Sequence, residues 1–295
     1  MLNTIVVPQS IGQIGNRLEQ FSHLIALQAE TGCRIVNPSF SIYSEFFEGT
    51  CDDALCRYPA IHSGHSNRLT QRLLYWLIRL AMSARLLSFV SKSVWIDIHW
   101  SAPAYDLGNP NFRRFIKDYR WIFLTGHWKH RHWSAYQQSI PLIRKHFRLV
   151  PNLRAQVERH IARVREACDV LIGLHVRQGD NFTDPVRRDA FSSEEHARVA
   201  KHIAKLFPKR RLAFLLCTNK PQPLELYSGL KVFDGPGDFI LDMYSLAECD
   251  YIAGAGQSSF SGWASLMGQK PRYRLFDPNK PLTLDDFSIC RGVED

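Results

Sequence analysis

An apolar run, Leu171-Ile172-Gly173-Leu174, breaks off into His175-Val176-Arg177-Gln178-Gly179-Asp180, where an imidazole, a guanidinium and a carboxylate follow in quick succession. A guanidinium takes two phosphate oxygens in a fixed fork geometry, so Arg177 is a candidate for holding a pyrophosphate-bearing ligand. The alternative is a structural ion-pair network at a strand end, with Asp180 as the partner of Arg177. A second stretch, Gly256-Gln257-Ser258-Ser259-Phe260, opens a helix rich in small residues. Hydroxyls and N–H groups at such a turn can together hold phosphate oxygens. A third, Gly12-Gln13-Ile14-Gly15-Asn16-Arg17, lets the backbone approach a ligand ahead of another helix. It matches the dinucleotide fingerprint loosely, because the third glycine is absent, and a plain strand-to-helix turn is the competing explanation.

Other reactive residue types are less decisive. Gly126-His127-Trp128-Lys129-His130-Arg131-His132-Trp133 invites a metal reading, yet no two of its histidines stand at i and i+4 and no carboxylate is near. It is read as an acceptor- or phosphate-facing surface, with a solvated basic loop as the alternative. Cys51 and Cys56 with His62 and His65 match no common zinc spacing. No metal is therefore expected. The seven cysteines form no repeated close pair, which fits reduced thiols in a cytoplasmic protein. Aromatics between Phe40 and Phe47, including Tyr43 and Phe46, can stack on a sugar face or pack beneath their own loop.

The elements that must position these groups alternate between strand and helix. Thr4–Val7 and Arg34–Asn37 read as strands around a helix that carries Leu18, Phe21, Leu24 and Ile25 at helical spacing, which makes a βαβ unit. Trp121–Leu124 is a further strand, followed by a helix from Ser134 to about His146. Pro151-Asn152 is the expected linker, before a helix over Leu153–Ala167. The strand ending at His175 is then followed by a helix over Ser192–Phe207, a strand over Leu212–Cys217, a strand to Phe233, a helix over Phe239–Glu248 and a strand over Tyr251–Gly254. The expectation is an α/β protein of two Rossmann-like domains facing a cleft, residues 1–150 and 151–295. In such sheets ligands lie beyond the carboxyl ends of the strands, where Arg177 emerges.

With 45% hydrophobic and 22% charged residues, the chain belongs among soluble globular proteins rather than disordered ones. The net charge of +9 points to an anionic partner: nucleic acid, an anionic membrane surface or a nucleotide-sugar diphosphate. Nucleic acid is disfavoured, because no recognised module is visible and the basic residues are interleaved with aliphatics. Met1 to Pro8 lacks the pattern of a secretory signal, and no apolar run is long enough to span a bilayer. No acidic residue occurs from Ala54 to Ile96. There Arg68, Arg72 and Arg79 border an apolar helical face of Leu69, Leu73, Trp76, Leu77, Leu80, Ala84 and Leu87. Residues 68–92 are thus either an interfacial helix at the inner membrane face or a helix packed on the first sheet.

Three ordered motifs carry a family resemblance. Gly12, Gly15, Asn16 and Gln20 fit G-x-x-G-N-x-x-x-Q, the strand end fits H-x-R-R-G-D except at Gln178, and Ser258-Ser259-Phe260-Ser261-Gly262-Trp263 fits S-[ST]-F-S-x-W. Together they resemble the fucosyltransferase superfamily, most nearly the bacterial α-1,2-fucosyltransferases (glycosyltransferase family 11-like), over nearly the whole chain. The resemblance implies a GT-B-type fold, inverting transfer from GDP-β-L-fucose to a glycan acceptor, and no metal or other cofactor. By position it implies that Arg177 holds the diphosphate beside His175, Ser258, Ser259 and Phe260, that Asp242 faces the guanine, and that Asn16, beside Gly12 and Gly15, reaches the reacting centre from the first domain. A metal-free site needs such cations and oriented N–H groups to neutralise the departing diphosphate. Gln178 stands where the α-1,2 and α-1,6 branches usually carry a second arginine, which leaves linkage and donor open. Asp180 and Glu19, the carboxylates nearest the motifs, are the candidates for a general base on the acceptor hydroxyl, with ion pairing to Arg177 and a helix-surface charge as their competing roles. The other function classes are a nucleotide- or sugar-binding module without turnover, a glycosyltransferase using another donor, and a membrane-surface scaffold.

Overall fold

The structure is a computed structural model that describes residues 3–9, 12–61, 91–96, 103–178 and 191–292, with 70, 73, 74, 76, 77 and 80 between them. The chain folds as two compact units, Met1–Val150 and Pro151–Asp295.

The first unit runs β1 (Thr4–Val6), α1 (Ile14–Thr31), β2 (Arg34–Val36), a 3-10 helix (Pro38–Phe46), β3 (Arg57–Tyr58), β4 (Ser91–Ile96), β5 (Tyr105–Asp106), α2 (Pro110–Asp118), β6 (Trp121–Gly126), β7 (His130–Arg131) and α3 (Tyr136–His146). Its main sheet has the order β3-β2-β1-β6-β4 and is parallel except for β3. Leu18, Phe21, Leu24 and Ile25 of α1 are fully buried, as their spacing demands. The helix stops at Gly32, whose left-handed φ of 70° turns its N–H onto the Gln28 carbonyl. Phe40 and Phe47 are fully buried too, and Phe21 meets Phe40 and Phe147 edge-on at 5.4 Å. Phe40 and Phe47 are therefore core rather than sugar-stacking residues, while Tyr43 and Phe46 are partly exposed. Ser91 and Lys92 lie in β4, so the interval 68–92 is not one helix.

The second unit runs α4 (Pro151–Arg165), β8 (Val170–Val176), α5 (Ser193–Ala204), β9 (Leu212–Thr218), β10 (Val232–Asp234), α6 (Phe239–Ala247), β11 (Tyr251–Ala255), α7 (Ser259–Gly268), β12 (Pro271–Leu275) and β13 (Phe287–Ile289). Pro151 and Asn152, expected as a linker, are the first residues of α4, because proline suits a position whose N–H has no intrahelical acceptor. The sheet order is β10-β9-β8-β11-β12-β13, with only the β12–β13 pair antiparallel. This is the doubly wound order, with its turning point between β8 and β11. Ile172, Leu174 and Val176 pack with Val199, Ala200 and Ile203 of α5 in one core. The alternate positions face α6 and α7: a Cβ on Gly173 would lie 2.6 Å from a methyl of Leu246. Burial on both faces explains why β8 reads as a continuous apolar run.

Among the described residues, no helix is long and apolar enough to cross a membrane.

Candidate functional site

The turning point of the second sheet is where His175 and the serine turn meet. His175 occupies the last turn of strand pairing on β8, in register with Gly254 of β11. Its ring stacks on Phe260 at 4.7 Å and 23°, and its Nδ1 lies 3.3 Å from the Ser258 hydroxyl. Burial, reinforced by the charges of Arg177 and Arg272, pushes its pKa down to about 3. His175 is thus a neutral ring that orients Ser258 and carries no charge at physiological pH. Arg177, the residue after β8, is half-buried and near enough for its charge to act on His175. Ser258 precedes α7 without capping it through its side chain. First-turn N–H groups of a helix lack intrahelical acceptors, which makes the amino end of α7 a candidate for meeting an anion.

Asp242 stands in the first turn of α6, above the ends of β9 and β10. The Cys217 thiol of β9 reaches the Asp242 carbonyl at 3.6 Å, and the Gly237 N–H donates to its carboxylate at 3.0 Å. Only 6% of the residue is exposed. Burial pushes its pKa up to about 6, assisted by Asp238 and opposed by the Gly237 hydrogen bond. Gln178 is tied into a neutral network. Its N–H donates to Asn219 at 3.0 Å, its amide donates to Ser193 at 2.9 Å, and its carbonyl oxygen accepts from Gln222 at 3.0 Å.

Two residues of this edge escaped the sequence reading. Arg272, 6% exposed, donates to the carbonyls of Ala255 and Gly256 at 2.7 and 3.1 Å. Arg274 donates to the Gly256 carbonyl at 3.2 Å and lies 5.1 Å from the Phe276 ring centre. The Arg-Tyr-Arg spacing at the end of a strand was the available signal, since it puts both guanidiniums on one face.

Gly12, Gly15 and Asn16 belong to the first unit, where the chain leaves β1 at that sheet's own turning point between β1 and β6. Gly12 has a φ of 108°, and a Cβ there would lie 2.6 Å from the Asn16 amide nitrogen. Glycine is needed on both counts. Its carbonyl accepts from Arg17 at 3.0 Å, and Arg17 also bonds the Ser39 carbonyl and lies 5.7 Å from the Tyr43 ring. Asn16, half-buried, and Gly15, buried, open the first turn of α1.

The residues around 126–133 require a correction. His127, His130, Arg131 and His132 are each 1% exposed or less, so this basic stretch is interior rather than an acceptor- or phosphate-facing surface. Glu19 explains it: this carboxylate, 2% exposed, is ion-paired with Arg131 and is no helix-surface charge. Gln20 meets His130 at 3.0 Å and His23 accepts the His132 N–H at 3.0 Å. Burial pushes His23 and His130 down to about 3, which keeps both neutral beside the ion pair. Among the described residues, no group of His, Cys, Asp and Glu is placed to hold a metal ion. Asp180, His62, His65, Arg68, Arg72 and Arg79 lie outside the described residues.

Two Rossmann-like α/β units make up the chain, a fold of the GT-B type. Its fold is similar to those of solved fucosyltransferases. An arginine-to-lysine mutant of Arabidopsis thaliana FUT1 in complex with GDP matches with a TM-score of 0.58 and 13% identity, over 95% of this chain and 73% of that one. Fucosyltransferase NodZ from Bradyrhizobium matches at 0.57 and 16%, over 95% and 97%. NodZ α-1,6-fucosyltransferase co-crystallized with GDP matches at 0.56 and 16%, over 93% and 95%. No family model matches the chain, and no curated protein matches it.

Proposed function

We propose that the chain is an inverting glycosyltransferase that moves fucose from GDP-β-L-fucose to a hydroxyl of a glycan acceptor, in the manner of an α-1,2-fucosyltransferase. One observation carries the reading: Arg177, His175 and the amino end of α7 converge at the turning point of a doubly wound sheet, where such sheets take phosphorylated ligands. The solved neighbours that hold GDP on the same fold add support. In the proposed reaction the acceptor hydroxyl oxygen attacks the anomeric carbon as the bond to the β-phosphate oxygen breaks, GDP leaves with that electron pair, and the hydroxyl proton is lost to water. Arg177 and the N–H groups of Ser259 and Phe260 neutralise the charge that gathers on GDP, so no metal is needed. Asp242 faces the guanine, and Asn16 orients the reacting hydroxyl.

The same reading places the enzyme at a membrane-proximal acceptor. Its support is that Leu73, Trp76, Leu77 and Leu80 are between 50% and 66% exposed on residues that are helical, in an interval whose only charges are basic. A thermal-shift screen of GDP- and UDP-sugars in EDTA tests the donor, since a ligand that binds the folded state raises the melting temperature. Release of GDP in the presence of glycan acceptors then tests transfer. Stabilisation by UDP-sugars alone, or GDP binding without release for any acceptor, refutes the proposal.

A further inference from the structure

The diphosphate of the proposed donor needs more positive charge than Arg177 alone provides, and the next residue is the neutral, fully engaged Gln178. Register shows where a second cation stands. His175, Gly254 and Arg274 are direct neighbours across β8, β11 and β12, and residues in register project to one face of a sheet. That face is the one covered by α7. A Cβ on Gly254 would touch the Ser261 hydroxyl at 3.0 Å, and one on Gly262 would lie 3.2 Å from a nitrogen of Arg272. Arg177, the residue after β8, and Arg274 of β12 therefore stand on either side of β11, the strand that leads into α7.

The two arginines of β12 divide the work. Arg272 is buried and spends its Nη2 on the Ala255 and Gly256 carbonyls, so it braces the turn from below. Arg274 is half-buried at the rim, held through Nε by the same Gly256 carbonyl and by the Phe276 ring. A Cβ on Gly256 would displace the Phe276 ring from its present place against the turn. The absence of a side chain there lets Phe276 lie against the turn and aim the guanidinium along it. Along this edge Asp242 stands over β9 and β10, Arg177 at β8, the amino end of α7 at β11 and Arg274 at β12. A nucleotide with its guanine at Asp242 thus runs toward β12 with its phosphates.

We infer that Arg274, positioned by Gly256 and Phe276, is the second diphosphate-binding cation and contacts the β-phosphate, the group whose bond to the sugar breaks. The inference rests on the proposed GDP-sugar site. The test is titration calorimetry of GDP and GMP with the full chain, as wild type, Arg274→Gln and Arg274→Lys. Loss of a charge-assisted contact should weaken GDP at least about tenfold in Arg274→Gln while GMP changes less than about threefold. Arg274→Lys keeps the charge without the planar fork and should fall between the two. Should Arg274→Gln not fold, the lysine variant is read alone, with several-fold weaker GDP and unchanged GMP expected. Wild-type GDP affinity in the folded variant overturns the inference, and so does an equal loss for GDP and GMP, which marks a brace of the turn and nothing more. Failure of the wild type to bind GDP removes the nucleotide site itself and the inference with it.

Discussion

Asp242→Asn should move stability and affinity in opposite directions. The wild-type carboxyl is raised from 3.8 to about 6 by burial, which corresponds to about 3 kcal/mol against the ionised form at neutral pH. Between those values the folded chain holds a proton that the unfolded chain has released. Stability therefore falls as pH rises across that window, and the cost is complete above about pH 7. Asparagine carries no charge and still accepts the Gly237 N–H, so a weaker hydrogen bond returns only about 1 kcal/mol of the gain. The net of about 2 kcal/mol should raise the melting temperature by roughly 4–8 °C at pH 7. The advantage should vanish by about pH 4. In the proposed site guanine offers adjacent N–H donors, which a carboxylate accepts with both oxygens and an amide with one, so GDP should bind roughly 10- to 100-fold more weakly. In the wild type, binding holds Asp242 ionised, so GDP affinity should climb as pH rises toward and past 6. Melting curves from pH 4 to 8, paired with calorimetry, read all of this. A melting difference that does not depend on pH would refute the buried-charge argument, and undiminished GDP binding by the variant would remove Asp242 from the guanine site.

Arg177→Ala should weaken GDP by about 1.5–3 kcal/mol in EDTA; calorimetry showing no loss takes Arg177 out of the diphosphate site. Asn16→Ala should depress turnover while GDP affinity stays within a few fold, and parallel losses in both would place Asn16 in nucleotide binding. Glu19→Ala strands the buried Arg131 guanidinium and should destabilise the first unit by about 3–5 kcal/mol in chemical denaturation; a loss below about 1 kcal/mol contradicts its burial. Changing Arg68, Arg72 and Arg79 to glutamine should abolish co-sedimentation with anionic vesicles at low salt, since each basic residue contributes about 1 kcal/mol within a Debye length of roughly 8 Å. Equal pelleting with neutral vesicles, or none with anionic ones, returns this helix to packing on the first sheet.

What was legible in the sequence is what a strand end broadcasts locally. His175, Arg177 and the serine turn follow short apolar runs, and the alternation of strands and helices fixes which ends of the strands they occupy. The buried polar groups were illegible for the opposite reason, because their partners are remote. Arg131 lies 112 residues from Glu19, and His132 and His23 are 109 apart. A stretch with three histidines, a lysine and an arginine therefore reads as solvated surface until the fold brings a carboxylate from α1 beneath it. Burying that pair is tolerable in part because His23 and His130, pushed down by burial, stay neutral and add no further cations beside Arg131. Arg272 and Arg274 were missed on a different ground. Alternation in a strand identifies a shared face but not what covers it, and here both faces are covered: Tyr273 and Leu275 lie in the core while α7 closes over the face with the arginines. The glycines settle it: Gly254 and Gly262 let α7 close over β11 and β12, and Gly256 leaves the turn open to Phe276. The Ala255 and Gly256 carbonyls at the end of β11 accept Nη2 of Arg272, and the Gly256 carbonyl also accepts Nε of Arg274, so the same turn that faces the proposed phosphates also anchors both cations.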